Sequence, residues 1–176
     1  MRGYHPLHAY VVFRLCCPAR KLPPRMRDTL NQGRLWVLAQ FTLVALMLAW
    51  PAHWRLPAAA LGLGLAALAL GLWVLAWNRP GNFNIHPQPR QAGRLVTGGP
   101  YRRMRHPMYT SLLLLMAAVA VAAADLPRLA AWVALLLVLQ GKSTMEERLL
   151  LQRWPEYAAY RARTWKFIPR PGRLDP

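Results

Sequence analysis

Acidic residues are scarce in this chain: six Asp and Glu stand against twenty-three Lys and Arg, a net charge of +17 at pH 7. Cysteine is scarcer still. Cys16 and Cys17 are the two present, and adjacent cysteines rarely bridge each other, so no disulfide framework is available. His5 and His8 nearby complete no zinc-ligand spacing, and no metal site is expected. The first apolar run, residues 9–13, is too short and too early for a secretory signal. Charge is absent from four stretches, 35–50, 56–77, 108–124 and 126–139, apart from Arg128 near the start of the last.

What is present is apolar surface: 55% of the 176 residues are hydrophobic. Soluble domains rarely combine that fraction with so large a charge. The four uncharged stretches read as membrane spans. The second is long enough for a hydrocarbon core of ~30 Å; the first and fourth are short and must borrow flanking residues or thin the bilayer. Twenty-one of the basic residues fall before the first span, between the second and third, and after the fourth, and two fall in the other connections. The positive-inside rule then places both termini and the 78–107 loop in the cytoplasm. Membrane orientation thereby accounts for the basic surplus, which disfavours nucleic-acid binding.

The expected fold is all-α: a polytopic membrane protein of four transmembrane helices with a cytoplasmic C-terminal helical extension. Residues 1–33, rich in Arg and Pro without periodicity, are expected to be a disordered basic tail at the lipid headgroups, with Met26 as a second start of translation. Residues 34–176 form the membrane domain.

Trp36 and Trp50 flank the first span as interfacial anchors. The second span has small residues at Ala58, Gly62 and Ala66 and at Ala60 and Gly64, a spacing for close helix packing. Three prolines and a glycine forbid a regular helix in 78–91, where Asn82, Asn84 and His86 are polar groups close to the bilayer and the asparagines suit turns. Asp125 is an N-cap for the fourth span, followed by Pro127. So tight a connection makes spans three and four an antiparallel hairpin. Whatever follows Gly141 therefore lies near the start of span three.

That start is Thr97-Gly-Gly-Pro-Tyr-Arg-Arg-Met-Arg-His-Pro-Met-Tyr109. Pro107 suits a first helical position, and a helix beginning there offers backbone N–H groups to an anion. After Gly141 come Lys142 and Glu146, i and i+4 on one helix face. Glu147 is turned about 100° away, so one Glu is expected to face inward and the other outward. Tyr157 and Tyr160 share one side of a further turn. A ligand with a carboxylate, an ammonium, a sulfonium, a ribose and a flat base fits these groups: the helix start for the carboxylate, Glu146 for the ammonium or ribose, and the Tyr101 and Tyr109 rings for the sulfonium. These features describe S-adenosylmethionine without requiring it.

Gly99-Pro100-Tyr101-x-x-x-Arg105-His106-Pro107-x-Tyr109, followed by Glu146-Glu147-x-x-Leu150 and Tyr157-x-x-Tyr160, resembles the isoprenylcysteine carboxyl methyltransferase family over residues 78–169. The wider superfamily includes phospholipid N-methyltransferases. The resemblance implies an enzyme of a bacterial-type inner membrane that binds S-adenosylmethionine from the cytoplasm and takes a lipophilic acceptor through the bilayer. It puts cofactor contacts on Gly93, Arg94, Leu95, Val96, Tyr101, His106, Pro107, Met108, Tyr109 and Glu146. Lys142, Arg105 and Arg163 are the residues it implies for the acceptor and the reaction. At Lys142 the family has Arg, a planar fork rather than a point charge. Arg153-Trp154-Pro155-Glu156 departs from the family's usual Phe-Gly pair.

Methyl transfer is an in-line displacement that needs alignment and dryness more than proton chemistry. A carboxylate acceptor needs no general base, whereas an amine does, and His106 is the nearest candidate. This favours an O- or S-acceptor over a phospholipid amine; the third alternative is a non-catalytic membrane interaction module. Membrane lipids and the acceptor are the expected partners, and the oligomeric state is open.

Overall fold

A computed structural model describes residues 24–78 and 95–171. The chain divides into two compact units, residues 1–32 and 33–176, and the site belongs to the second. Among the described residues the regular elements are helical: α1 (Pro24–Ala49), α2 (Ala58–Trp77), a 3-10 turn (Gly99–Arg102), α3 (Pro107–Ala123), α4 (Leu126–Arg153) and α5 (Tyr157–Arg163). One isolated parallel bridge joins Met104 and Trp165. α1 starts earlier than the sequence pattern shows. Pro24 takes a first helical position, where its missing N–H costs nothing, so residues 24–33 of the expected tail are helical. The rest of that tail, with Cys16, Cys17, His5 and His8, lies outside the described residues, as do Asn82, Asn84 and His86.

Among the described residues two segments are long and apolar enough to cross a membrane, Asn31–Ala49 and Ala58–Trp77; α3 is apolar but shorter, at 17 residues. Large apolar side chains point outward on α1, α2 and α4. Leu35, Leu38, Leu61, Leu65, Leu68 and Leu137 are all exposed, an arrangement suited to hydrocarbon rather than water.

The small residues of α2 divide by face. Ala60 and Ala67 are buried, a Cβ on Gly64 would just touch Ala118, and the Ser111 hydroxyl donates to the Ala67 carbonyl at 2.8 Å. This stripe holds α2 against α3. Ala58, Gly62 and Ala66, the parallel stripe, are exposed. Met47, Leu113, Met116, Ala120, Leu135 and Leu139 form the apolar core shared by α1, α3 and α4.

The α3–α4 hairpin turns at Ala124, whose φ of 50° is left-handed, and at Asp125, whose carboxylate accepts from the Arg128 N–H at 2.8 Å. Arg128 is 1% exposed. Its guanidinium donates to the Met47 carbonyl at 2.9 Å, to the Trp50 carbonyl and to Asp125, and lies over the Trp54 ring. A buried arginine thus satisfies carbonyls at the end of α1 that the helix leaves unpaired and ties that end to the hairpin. Arg128→Ala would strand these acceptors and Asp125, and it is expected to lower the unfolding free energy by about 3 kcal/mol. Urea titration of the detergent-solubilised protein checks this.

Candidate active site

The hairpin returns α4 to the start of α3, and the site assembles there. His106 precedes α3 with φ −126° and ψ 59°, and no side chain among the described residues caps the helix. The Tyr109 and Thr110 N–H groups both bond the His106 carbonyl at 3.1 Å; the Thr110 bond is the first of the helix, and the Tyr109 N–H, one of those expected to face an anion, is already engaged.

His106 is buried between two carboxylates. Its Nε2 lies 3.1 Å from Glu147 Oε1, and its Nδ1 lies 3.6 Å from Glu146 Oε2. The expectation of one inward and one outward Glu is therefore corrected. Glu147 is 3% exposed and accepts from Arg105 Nε at 2.8 Å. Glu146 accepts from the Tyr109 hydroxyl at 2.5 Å. Both are inside because this end of α4 is flanked on two sides. The start of α3 meets Glu146, while Arg105 and α5 meet Glu147. A 100° turn of helix separates two covered faces here rather than a covered one from an open one.

The two carboxylates differ electrostatically. Burial works against the charged form of Glu147, but hydrogen bonds from His106 and Arg105 outweigh it and hold the carboxyl at about 2. For Glu146 burial dominates and raises the pKa, opposed by His106, the Tyr109 bond and Lys142. Arg161 also reaches Glu147, at 3.5 Å, from an exposed position that weakens its effect.

A feature without a sequence signal closes the site. Residues 164–170 run beside 103–106: the Arg105 N–H bonds the Trp165 carbonyl at 2.8 Å, His106 N–H bonds Lys166 at 3.0 Å, and Arg170 N–H bonds Arg103 at 3.0 Å. Arg105 also donates to the carbonyls of Arg161 and Thr164. The Thr110 hydroxyl donates to the Phe167 carbonyl at 2.6 Å. This strap brings the Phe167 ring edge-on to His106 and Tyr109. Polar backbone in a strap needs partners, and the 103–106 backbone supplies them.

Lys142 does not pair with Glu146 as the i,i+4 spacing leads one to expect. It is 2% exposed, donates to Gln40 Oε1 of α1 at 2.9 Å and stands over the Tyr109 ring at 5.1 Å. Burial lowers its pKa, against the pull of Glu146. Tyr109 stacks on His106 at 5.4 Å with ring planes 3° apart. Its ring is thus flanked by an imidazole and an ammonium rather than open to a sulfonium. Gln40 is detectable in the sequence as the polar residue inside an apolar span, a pattern that marks function more often than chance.

Tyr101 sits in the 3-10 turn. Asn78 donates to its hydroxyl at 3.1 Å, and burial, partly offset by that bond, pushes its pKa up to about 12. Tyr160 donates to the Tyr101 carbonyl at 2.7 Å and packs on Tyr157. The turn rests on the Trp77 ring. Gly99 has φ +58°, and a Cβ there would run into the indole. Gly99→Ala is accordingly expected to destabilise the protein by more than about 1 kcal/mol in the same urea titration.

Pro107 is buried and Met108 exposed at the first turn of α3; Leu95 and Val96 are half-buried in the approach to the turn. Gly93 and Arg94 lie outside the described residues. Arg163 is exposed at the end of α5, and Arg161, two residues before it, is the arginine of α5 that reaches Glu147. The structure therefore gathers Arg105, His106, Tyr109, Lys142 and Glu146 with Glu147, and leaves Arg163 at the edge.

The sequence profile of the phospholipid methyltransferase family matches residues 57–156, more than half the chain, from the start of α2 to the end of α4. The chain belongs to that family. Helices α2, α3 and α4 and the paired carboxylates fall within the match, and α1 lies before it. The chain is also 30% identical over 139 residues to the cobalt-zinc-cadmium resistance protein CzcN of Cupriavidus metallidurans, covering 76% of this chain and 61% of that relative. It spans about three-fifths of the relative's length.

Proposed function

We propose that the protein is an integral membrane methyltransferase that uses S-adenosylmethionine to methylate a lipophilic acceptor, with four membrane-crossing helices and both termini in the cytoplasm. The observation that carries this reading is the pairing of His106 and Tyr109 with Glu146 in a buried, carboxylate-bearing cluster where the start of α3 meets the end of α4, inside a family of phospholipid methyltransferases. The charge split of the loops supports the orientation.

The donor and acceptor set fits the cofactor. Glu146 has one oxygen on Tyr109 and the other near His106 Nδ1, and a carboxylate has lone pairs to spare for an ammonium or a ribose. Bound there, S-adenosylmethionine supplies a methyl group on a sulfonium. Glu147 with Arg105 positions His106, and the strap 164–170 covers it and excludes water. Lys142 stands on the α1 side of Tyr109, where the acceptor would enter. Methylation of a carboxylate or thiolate needs no base from these residues. A phospholipid amine as acceptor is the second reading, favoured by the family match, with His106 or Glu146 to take the proton.

Isothermal titration of the purified protein with S-adenosylmethionine tests the reading. Saturable binding near one cofactor per chain is expected. No heat and no competition by S-adenosylhomocysteine would return the fold to a non-catalytic role.

A further inference from the structure

The strap 164–170 has two sides. Thr164 is buried and the Phe167 ring lies against His106 and Tyr109. Trp165 and Ile168, each one residue further on, are 47% and 66% exposed. Neither side chain is needed to hold the strap, which is fastened by backbone bonds to 103–106, by Arg105 and by Thr110. Around this apolar pair the exposed charge has one sign. Residues 157–171 contain no Asp or Glu. Arg163 and Arg170 are exposed, and so is Arg103, whose carbonyl accepts from the Arg170 N–H. Glu147 is spent on Arg105, His106 and Arg161 instead.

The level of the strap is fixed by its contacts. Lys166 Nζ turns back to Thr144 of α4 at 2.8 Å, and the Phe167 carbonyl is held by Thr110 in the first turn of α3. The uncharged stretch 108–124 begins there, and the stretch 126–139 ends a turn before Thr144. In a bilayer crossed by α3 and α4, the strap therefore lies among the headgroups. An indole at that depth, with arginines beside it, is what an anionic leaflet attracts. Exposed apolar side chains rimmed by charge mark a contact surface rather than a face kept in water.

We propose that Trp165 and Ile168, with Arg103, Arg163 and Arg170 around them, dock the closed strap on anionic lipid headgroups, so that an acidic leaflet holds the cover over His106 in place. This rests on the membrane-crossing part of the reading above and not on its chemistry. A strap that lifts from 103–106 takes Trp165, Ile168 and Arg170 out of that contact. Anionic lipid then shifts the opening equilibrium by its preference for the closed form.

The test is hydrogen exchange of the full chain, one copy per nanodisc, in phosphatidylcholine alone or with one-third phosphatidylglycerol. The amides of Arg105, His106 and Arg170 report directly, since their bonds close the strap. Their exchange should be roughly tenfold slower in the anionic discs at low salt, as two or three arginines at a charged surface imply. High salt should remove most of the difference. Arg103→Gln combined with Arg163→Gln changes two exposed side chains and should shrink the difference to within about threefold. Trp165→Ser combined with Ile168→Ser should speed exchange several-fold in both kinds of disc. Equal exchange of the wild type in the two kinds of disc, or a difference that survives in the arginine variant, overturns the surface. So does protection that needs two chains per disc and ignores lipid charge, which gives the face to a second copy. Titration with S-adenosylmethionine in the same discs keeps the two ideas apart: cofactor binding without a lipid effect sinks the surface alone, and a lipid effect without cofactor binding sinks the enzyme reading and leaves the surface standing.

Discussion

Glu147→Ala is expected to lower the unfolding free energy by about 3–5 kcal/mol at neutral pH, the cost of breaking a buried ion pair by removing one partner. Arg105, with a side chain 10% exposed, would lose its counter-charge, and His106 would lose its 3.1 Å partner. The pH dependence carries the same signature. The folded pKa, about 2, lies below the ordinary value of 4.5. A depressed carboxylate contributes stability that is present above its unfolded pKa and lost as pH falls through its folded one. Wild-type stability should therefore drop between about pH 4.5 and 2, and the variant should lack most of that drop. Glu146 runs the other way. Its pKa is raised, so its contribution favours the fold below the unfolded value and fades as pH rises. Urea titrations of the wild type and Glu147→Ala across this range decide the matter. Equal stability at neutral pH would mean that Arg105 finds water as good a partner.

Glu146→Gln is expected to weaken S-adenosylmethionine binding by roughly tenfold to a hundredfold, the worth of a charge-assisted hydrogen bond, while leaving stability nearly unchanged or slightly higher. Gln keeps the helix propensity and can still accept from Tyr109, and it removes a charge that burial disfavours. The contrast with Glu147 is one of role. Glu146 has an oxygen near His106 without a short bond to it, whereas Glu147 is committed to Arg105 and His106. Calorimetric titration of both glutamine variants separates them: Glu147→Gln should lose more stability than affinity, and Glu146→Gln the reverse.

That the start of α3 meets the end of α4 was legible in the sequence; how the groups there pair was less so. The Asp125 cap and the hairpin followed from local signals, since an N-cap and a proline act within a few residues. The hairpin then placed Glu146 beside His106 by topology alone. What stayed hidden depends on contacts distant in the chain. Helical geometry puts Glu146 and Glu147 on different faces but cannot say that both faces are covered. Lys142 has an ideal i,i+4 partner in Glu146 and is claimed instead by Gln40, 102 residues away. The strap over 103–106 pairs by backbone groups, which every residue carries, so residue types there give no sign of it. Arg163 came from the family resemblance rather than from helix geometry; the structure leaves it exposed and sets Arg161 3.5 Å from Glu147.

Methyl transfer itself is the most direct measurement. The purified protein, in a bacterial total lipid extract supplemented with a prenylated cysteine, is supplied with methyl-tritiated S-adenosylmethionine, and the organic phase is counted against time. Label should enter the organic phase with time in the wild type, should fall at least about tenfold at limiting cofactor in Glu146→Gln, and should survive in Arg163→Ala. Cofactor that binds yet leaves every lipid unlabelled, or labelling indifferent to Glu146, would contradict a methyltransferase centre at the joined ends of α3 and α4.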